Sequence, residues 1–102
     1  MDPFAALADS TRRRIVEALA EAPMASGEIA ARFPVTASAI SQHLKALRRA
    51  GLVRVRSEAQ RRIYDLDPEG VEALAGWAEA LRRHWGARLD ALERELKAKE
   101  TR

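Results

Sequence analysis

Apolar residues recur along this chain at helical spacing, then briefly at strand spacing, then at helical spacing again. Asp2 and Pro3 open a first short helix holding Phe4, Leu7 and Ala8, because proline is tolerated in a first turn. A second helix starts at Asp9, with Ile15, Val16 and Leu19 as its apolar face, Arg12, Arg13 and Arg14 on a mostly exposed one, and Pro23 at its end. Ser26 is placed to cap a third through Ile29, Ala30 and Phe33, which Pro34 stops. Thr36 caps a fourth, predicted over 36–51, in which Ile40, Leu44 and Leu47 form a buried stripe at intervals of four and three. Gly51 suits the left-handed position that closes such a helix.

After Gly51 the period falls to two. Leu52, Val53 and Val55 alternate with Arg54 and Arg56, and Ile63, Tyr64 and Leu66 follow the polar SEAQRR stretch, which predicts a two-stranded hairpin over 52–66. Asp67 and Pro68 then open a last helix over 68–97. Its stripe of Val71, Leu74, Trp77, Ala78, Leu81, Trp85, Leu89, Leu92 and Leu96 runs about three turns beyond what so small a domain could cover. Val71 and Leu74 are expected to pack on the domain's own core. Trp77, Leu81, Trp85 and Leu89 are expected to meet a second copy of the chain. The predicted fold is mainly α with a small β-hairpin: one winged helix-turn-helix domain over 1–102 with a long C-terminal dimerisation helix.

Composition narrows the function. At 102 residues and 47% hydrophobic content, the chain can build one modest core and gains from pairing. It has no cysteine, hence no disulfide and no thiolate metal site. It shows no signal peptide and no apolar run near the roughly 20 residues that span a bilayer, so a soluble cytoplasmic protein without a membrane partner is expected. The net charge of +3 is uneven: residues 36–62 carry seven Lys and Arg against Glu58 alone, or +6, which leaves −3 for the rest. Basic clusters are often only solvated surface, but this one falls on a helix and hairpin suited to phosphate. Catalysis has little support, with no glycine-rich phosphate loop, no cysteine nucleophile and no carboxylate placed to orient His43 near the serines.

LADSTRRRIVEAL, SGEIAARF, SAISQHLKALRRAGLVRVR and RRIYDLDPEG together resemble the ArsR family of bacterial winged-helix transcriptional regulators, over residues 4–70. The resemblance implies a homodimer joined through its first and last helices, with Phe4 and Leu7 joining the C-terminal stripe at the interface. It also implies repression by occupying a two-fold related operator on double-stranded DNA, the protein then lying with the nucleoid. Positions matching Ser38, Ala39, Ser41, Gln42 and Lys45 face DNA in the family pattern, with Thr36 at the head of the same helix. Gln42 has the amide chemistry to pair with adenine, and the serines can reach bases or phosphates. Arg56, Arg61 and Arg62 match the wing, where arginines enter or flank a minor groove. His43 has two readings, a histidine packed at the helix edge or a phosphate contact.

Two departures from the family pattern stand out. Ala25, Ser26 and Gly27 occupy the place where metalloid sensors carry paired cysteines, and the last helix offers His84 with Glu79, Asp90 and Glu93 where zinc sensors need several histidine and acidic donors. No metal site and no cofactor are therefore expected; an organic effector lodged against Trp77 and Trp85 is the alternative to simple packing there. Ala59 and Gln60 also stand where glycine then arginine is common at the wing tip. The competing function is a winged-helix module that binds a protein partner and uses its arginines only as solubilising charge.

Overall fold

The computed structural model describes residues 1–100. Among them lie helices α1 (Pro3–Ala6), α2 (Ser10–Glu21), α3 (Ser26–Arg32), α4 (Ala37–Arg49) and α5 (Pro68–Glu100), and strands β1 (Met24–Ala25), β2 (Val53–Glu58) and β3 (Arg61–Leu66). Met1–Glu72 is one compact unit and the chain from Ala73, the greater part of α5, is another. No helix among the described residues is long and apolar enough to cross a membrane.

The helix starts follow the capping residues. Asp2 Oδ1 accepts from the Phe4 N–H at 3.1 Å, Asp9 Oδ2 from Arg12 N–H at 3.0 Å and Thr36 Oγ1 from Ala39 N–H at 3.0 Å, each relieving a donor that a first turn leaves unpaired. Ser26 is not a cap, contrary to expectation. It is the first residue inside α3, and Glu28 Oε1 instead reaches back to accept from the Ala25 N–H at 3.3 Å, the carboxylate half of a capping box. Phe33 likewise lies just beyond α3 rather than in it.

The wing is part of a three-stranded antiparallel sheet in the order β1-β3-β2. Met24 and Ala25 pair with Tyr64 and Ile63, while β2 and β3 run in register from Val53↔Leu66 to Glu58↔Arg61. The two residues of β1 are too few for an alternating pattern to show in sequence, which is why only the hairpin was expected. Ala59 and Gln60 form the two-residue turn with Ala59 at φ +57°, a left-handed conformation that costs an alanine about 1 kcal/mol.

Ile15, Leu19, Ile29, Ile40, Leu44, Leu47 and Leu52 are almost wholly buried, joined by Val53, Ile63 and Tyr64 from the sheet. α4 ends in a Schellman motif: Gly51 N–H donates to the Arg48 carbonyl at 3.0 Å and Leu52 N–H to the Leu47 carbonyl at 3.1 Å, with Gly51 at φ +76°. Asp67 N–H then donates to the Leu52 carbonyl at 2.9 Å, closing the base of the wing beside the start of α5.

Gly70, in the first turn of α5, lies directly against that Schellman turn. A Cβ at Gly70 would sit 1.9 Å from the Gly51 carbonyl oxygen and 2.8 Å from its carbon. These are backbone atoms held by the turn, so no side chain can swing away to make room. Gly70→Ala should therefore lower unfolding free energy in urea by at least about 2 kcal/mol. Gly51→Ala, which meets open space and only a disfavoured φ, should lower it by about 1 kcal/mol.

Candidate nucleic-acid interface

α4 is divided lengthwise by burial. Ile40, Leu44 and Leu47 are at most 1% exposed, whereas Thr36, Ser38, Ser41, Gln42, Lys45, Arg48 and Arg49 are exposed and Ala39 is half-buried. Ser38, Ser41, Gln42, Lys45 and Arg49 fall at helical spacing and so share one outward row of small polar and cationic side chains. No carboxylate lies on α4, and among the described residues none forms an ion pair with Lys45, Arg48 or Arg49. A duplex major groove admits a helix bearing such a row, with amide and hydroxyl groups for base edges and cations for phosphates.

His43 does not join that row. Its Nδ1 accepts from Arg12 Nε at 3.2 Å and lies 3.9 Å from Asp9 Oδ2, so the ring is turned to the start of α2, as in the packed-histidine reading.

The three consecutive arginines of α2 make the mostly exposed face expected, Arg13 and Arg14 being exposed and Arg12 half-buried, and each also has a structural partner. Arg12 holds His43 of α4; Arg13 Nη1 donates to the Leu7 carbonyl at 2.8 Å, just past α1; the Arg14 guanidinium stands 5.6 Å over the Phe33 ring. Nothing in the local sequence announces these contacts, because they are made between elements.

The wing arginines separate. Residues opposite one another in the β2–β3 register share a face, which puts Arg54, Arg56 and Arg61 on one face and Arg62 on the other. Arg54 pairs with Asp65 at 4.0 Å and Arg56 with Glu58 at 3.5 Å; Arg61 Nη2 is bound to the same Glu28 oxygen that caps α3. Glu28 thus anchors the wing to α3, a role the sequence reading missed. Arg62 has no ion-pair partner among the described residues. The Arg56 and Arg61 pairs are exposed on both sides and individually weak, so a phosphate can replace the carboxylate there, while Asp65 is half-buried.

A second surface is apolar. Along α5, Trp77, Leu81, Trp85, Leu89, Leu92 and Leu96 are each at least 42% exposed, and the Arg88 guanidinium lies 4.2 Å over the Trp85 ring. Phe4 on α1 is exposed and Leu7 half-buried. Val71 and Leu74 are half-buried. His84 is exposed, and among the described residues no three of His, Asp and Glu come together in a group that could hold a metal ion.

Known proteins resemble this arrangement. The family description "Helix-turn-helix domain" matches residues 7–56. The HTH-type transcriptional regulator Rv2034 of Mycobacterium tuberculosis is 56% identical over 69 residues, 68% of this chain and 64% of that protein's length. An ArsR-like transcriptional regulator from Rhodococcus sp. RHA1 superposes with a TM-score of 0.72 at 33% identity, covering 89% of this chain and 86% of the other. The homodimeric winged helix-turn-helix DNA-binding domain of Mb0332 from Mycobacterium bovis, described as a possible ArsR-family regulator, gives a TM-score of 0.65 at 30% identity, over 78% and 74% of the two chains.

Asp9 caps α2 beside His43, and its carboxyl is held below its ordinary value of 3.8. The Arg12 backbone N–H is the main cause and outweighs the opposing loss of solvent; the charges of His43 and Arg12 add to it. A carboxyl depressed on folding stabilises fully above its unfolded value and loses that contribution as pH falls through the folded one. Asp9→Ala should cost about 1 kcal/mol at neutral pH. Urea unfolding repeated below pH 3.8 should show the gap to wild type narrowing.

Proposed function

The chain belongs to the ArsR family of winged helix-turn-helix transcriptional regulators, and from that premise we propose that it is a homodimeric, sequence-specific DNA-binding repressor acting on an inverted-repeat operator in the cytoplasm. The observation that carries this reading is the outward row of α4, polar, cationic and without a carboxylate, on a helix whose other side is locked into the core. Gln42 offers its amide to the N6 and N7 edge of adenine; Ser38 and Ser41 reach base edges or phosphate; Thr36 and Ala39 line the entering end of the helix. Lys45, from α4, and Arg62, on the wing, neutralise phosphates, while Arg56 and Arg61 exchange their carboxylates for phosphate on binding.

Dimerisation through α5 supplies the two-fold symmetry. The exposed Trp77, Leu81, Trp85 and Leu89 make an apolar face of the kind a second copy covers, and the M. bovis relative is itself homodimeric. Two reading helices placed by one dimer enter successive major grooves and cover the duplex a polymerase would need.

A protein-binding module with the same fold would use these arginines only for solubility, and salt separates the two. Binding to duplex DNA should weaken steeply as salt rises, with the slope set by the number of phosphates engaged. Gln42→Ala should relax preference at particular base pairs by about 1 to 3 kcal/mol, while Arg62→Ala should weaken all sequences evenly and lower the slope by roughly one. Competition with single-base operator variants reads both effects. Uniform weakening by Gln42→Ala removes Gln42 from base reading, and binding indifferent to salt favours the protein-binding module.

A further inference from the structure

His43 stands next to Gln42 in sequence, yet its side chain is only 19% exposed and its Nδ1 accepts a hydrogen bond from Arg12 Nε. A ring nitrogen that accepts carries no proton, so neutral His43 holds its proton on Nε2. Asp9 Oδ2 is 3.9 Å from the same Nδ1 and already accepts from the Arg12 backbone N–H. Asp9 and Arg12 are thus the charged groups that meet the ring from α2. Among the described residues no carboxylate of α1, α3 or β2, the other elements packed on α4, comes within 4.0 Å of it. α4 contributes the cations Lys45, Arg48 and Arg49 and no acid.

Protonation reverses what Nδ1 can do. An Nδ1–H cannot accept from Arg12, and imidazolium and guanidinium repel at that distance. The new N–H can donate to Asp9, whose depressed carboxyl stays ionised in the mildly acidic range where histidines titrate. We infer that Arg12, His43 and Asp9 form a proton-operated contact that makes the hold of α4 on duplex DNA depend on pH. Neutral His43 occupies the Arg12 guanidinium; protonated His43 turns to Asp9 and releases that guanidinium, beside the reading helix, to a DNA phosphate. The inference rests on the DNA-binding reading above.

Anisotropy of a fluorescein-labelled mixed-sequence duplex, titrated at about pH 8 and about pH 5.5 across a salt series, should show affinity about threefold tighter on acidification, with a salt slope steeper by about one. His43→Gln and, independently, Arg12→Gln should flatten that response, and His84→Gln, lacking the other histidine, should keep it. Nitrogen-15 spectra of the free protein supply a readout that needs no DNA: a single Nε2–H tautomer of His43 at high pH in wild type, mixed tautomers in Arg12→Gln. An Nδ1–H tautomer in wild type, or a wild-type pH response in His43→Gln, overturns the inference. A wild-type protein that binds no duplex at either pH overturns the DNA reading and the inference with it, while the tautomer spectra still report whether the Arg12–His43 contact exists.

Discussion

The burial of Ile40, Leu44 and Leu47 fixes the rotation of α4 about its own axis, and every functional feature of the surface follows from that rotation. Each such side chain is worth about 1.5 to 3 kcal/mol removed from water. Turning the helix by one residue, about 100°, would expose that stripe and push Ser41 or Lys45 toward the Ile15, Leu19 and Ile29 core, where an unpaired polar group costs about 1 to 3 kcal/mol. The outward row is therefore held by packing on the opposite side of the helix. The Gly51 turn and the close approach of Gly70 extend the same constraint to the wing and to the first turn of α5.

Electrostatics supply a second layer, in which cations are organised before any phosphate arrives. The three arginines of α2 tie α1, α3 and α4 to one helix through a carbonyl, an aromatic face and an imidazole. Glu58 and Asp65 of the wing and Glu28 of α3 hold three wing arginines in weak pairs, while Lys45, Arg48 and Arg49 on α4 have no such partner among the described residues. The reading helix thus carries three cations with neither an acid of its own nor an ion pair among the described residues.

Much of this was legible in the sequence because it is written in local rules. Asp2, Asp9 and Thr36 mark helix starts by the chemistry of their own side chains, Gly51 marks the left-handed turn that closes α4, and the alternation through Val53, Val55, Tyr64 and Leu66 marks the hairpin. What escaped is made of contacts between elements. β1 exists only because Met24 and Ala25 meet Tyr64 and Ile63 across the sheet. Glu28 displaced Ser26 as the capping group since its longer side chain can serve Ala25 and Arg61 at once. His43 admitted packing, the favoured reading, or a phosphate contact, and Arg12 against its Nδ1 is an inter-element contact that no local pattern shows. α5 also continues to Glu100, three residues past the expected end, because Ala98 and Lys99 give it no stop signal.

Two copies joined through α5 and presenting two α4 helices to one face of a duplex is the central claim, and selection of bound DNA from a random duplex pool tests it most directly. The account predicts enrichment of an inverted repeat whose half-sites lie about one helical turn, roughly 10 base pairs, or a multiple of it apart, with the strongest preference at the positions α4 reaches. Enrichment of a lone half-site or a direct repeat would contradict the two-fold dimer, and a pool that emerges without any enriched sequence would contradict base reading by α4.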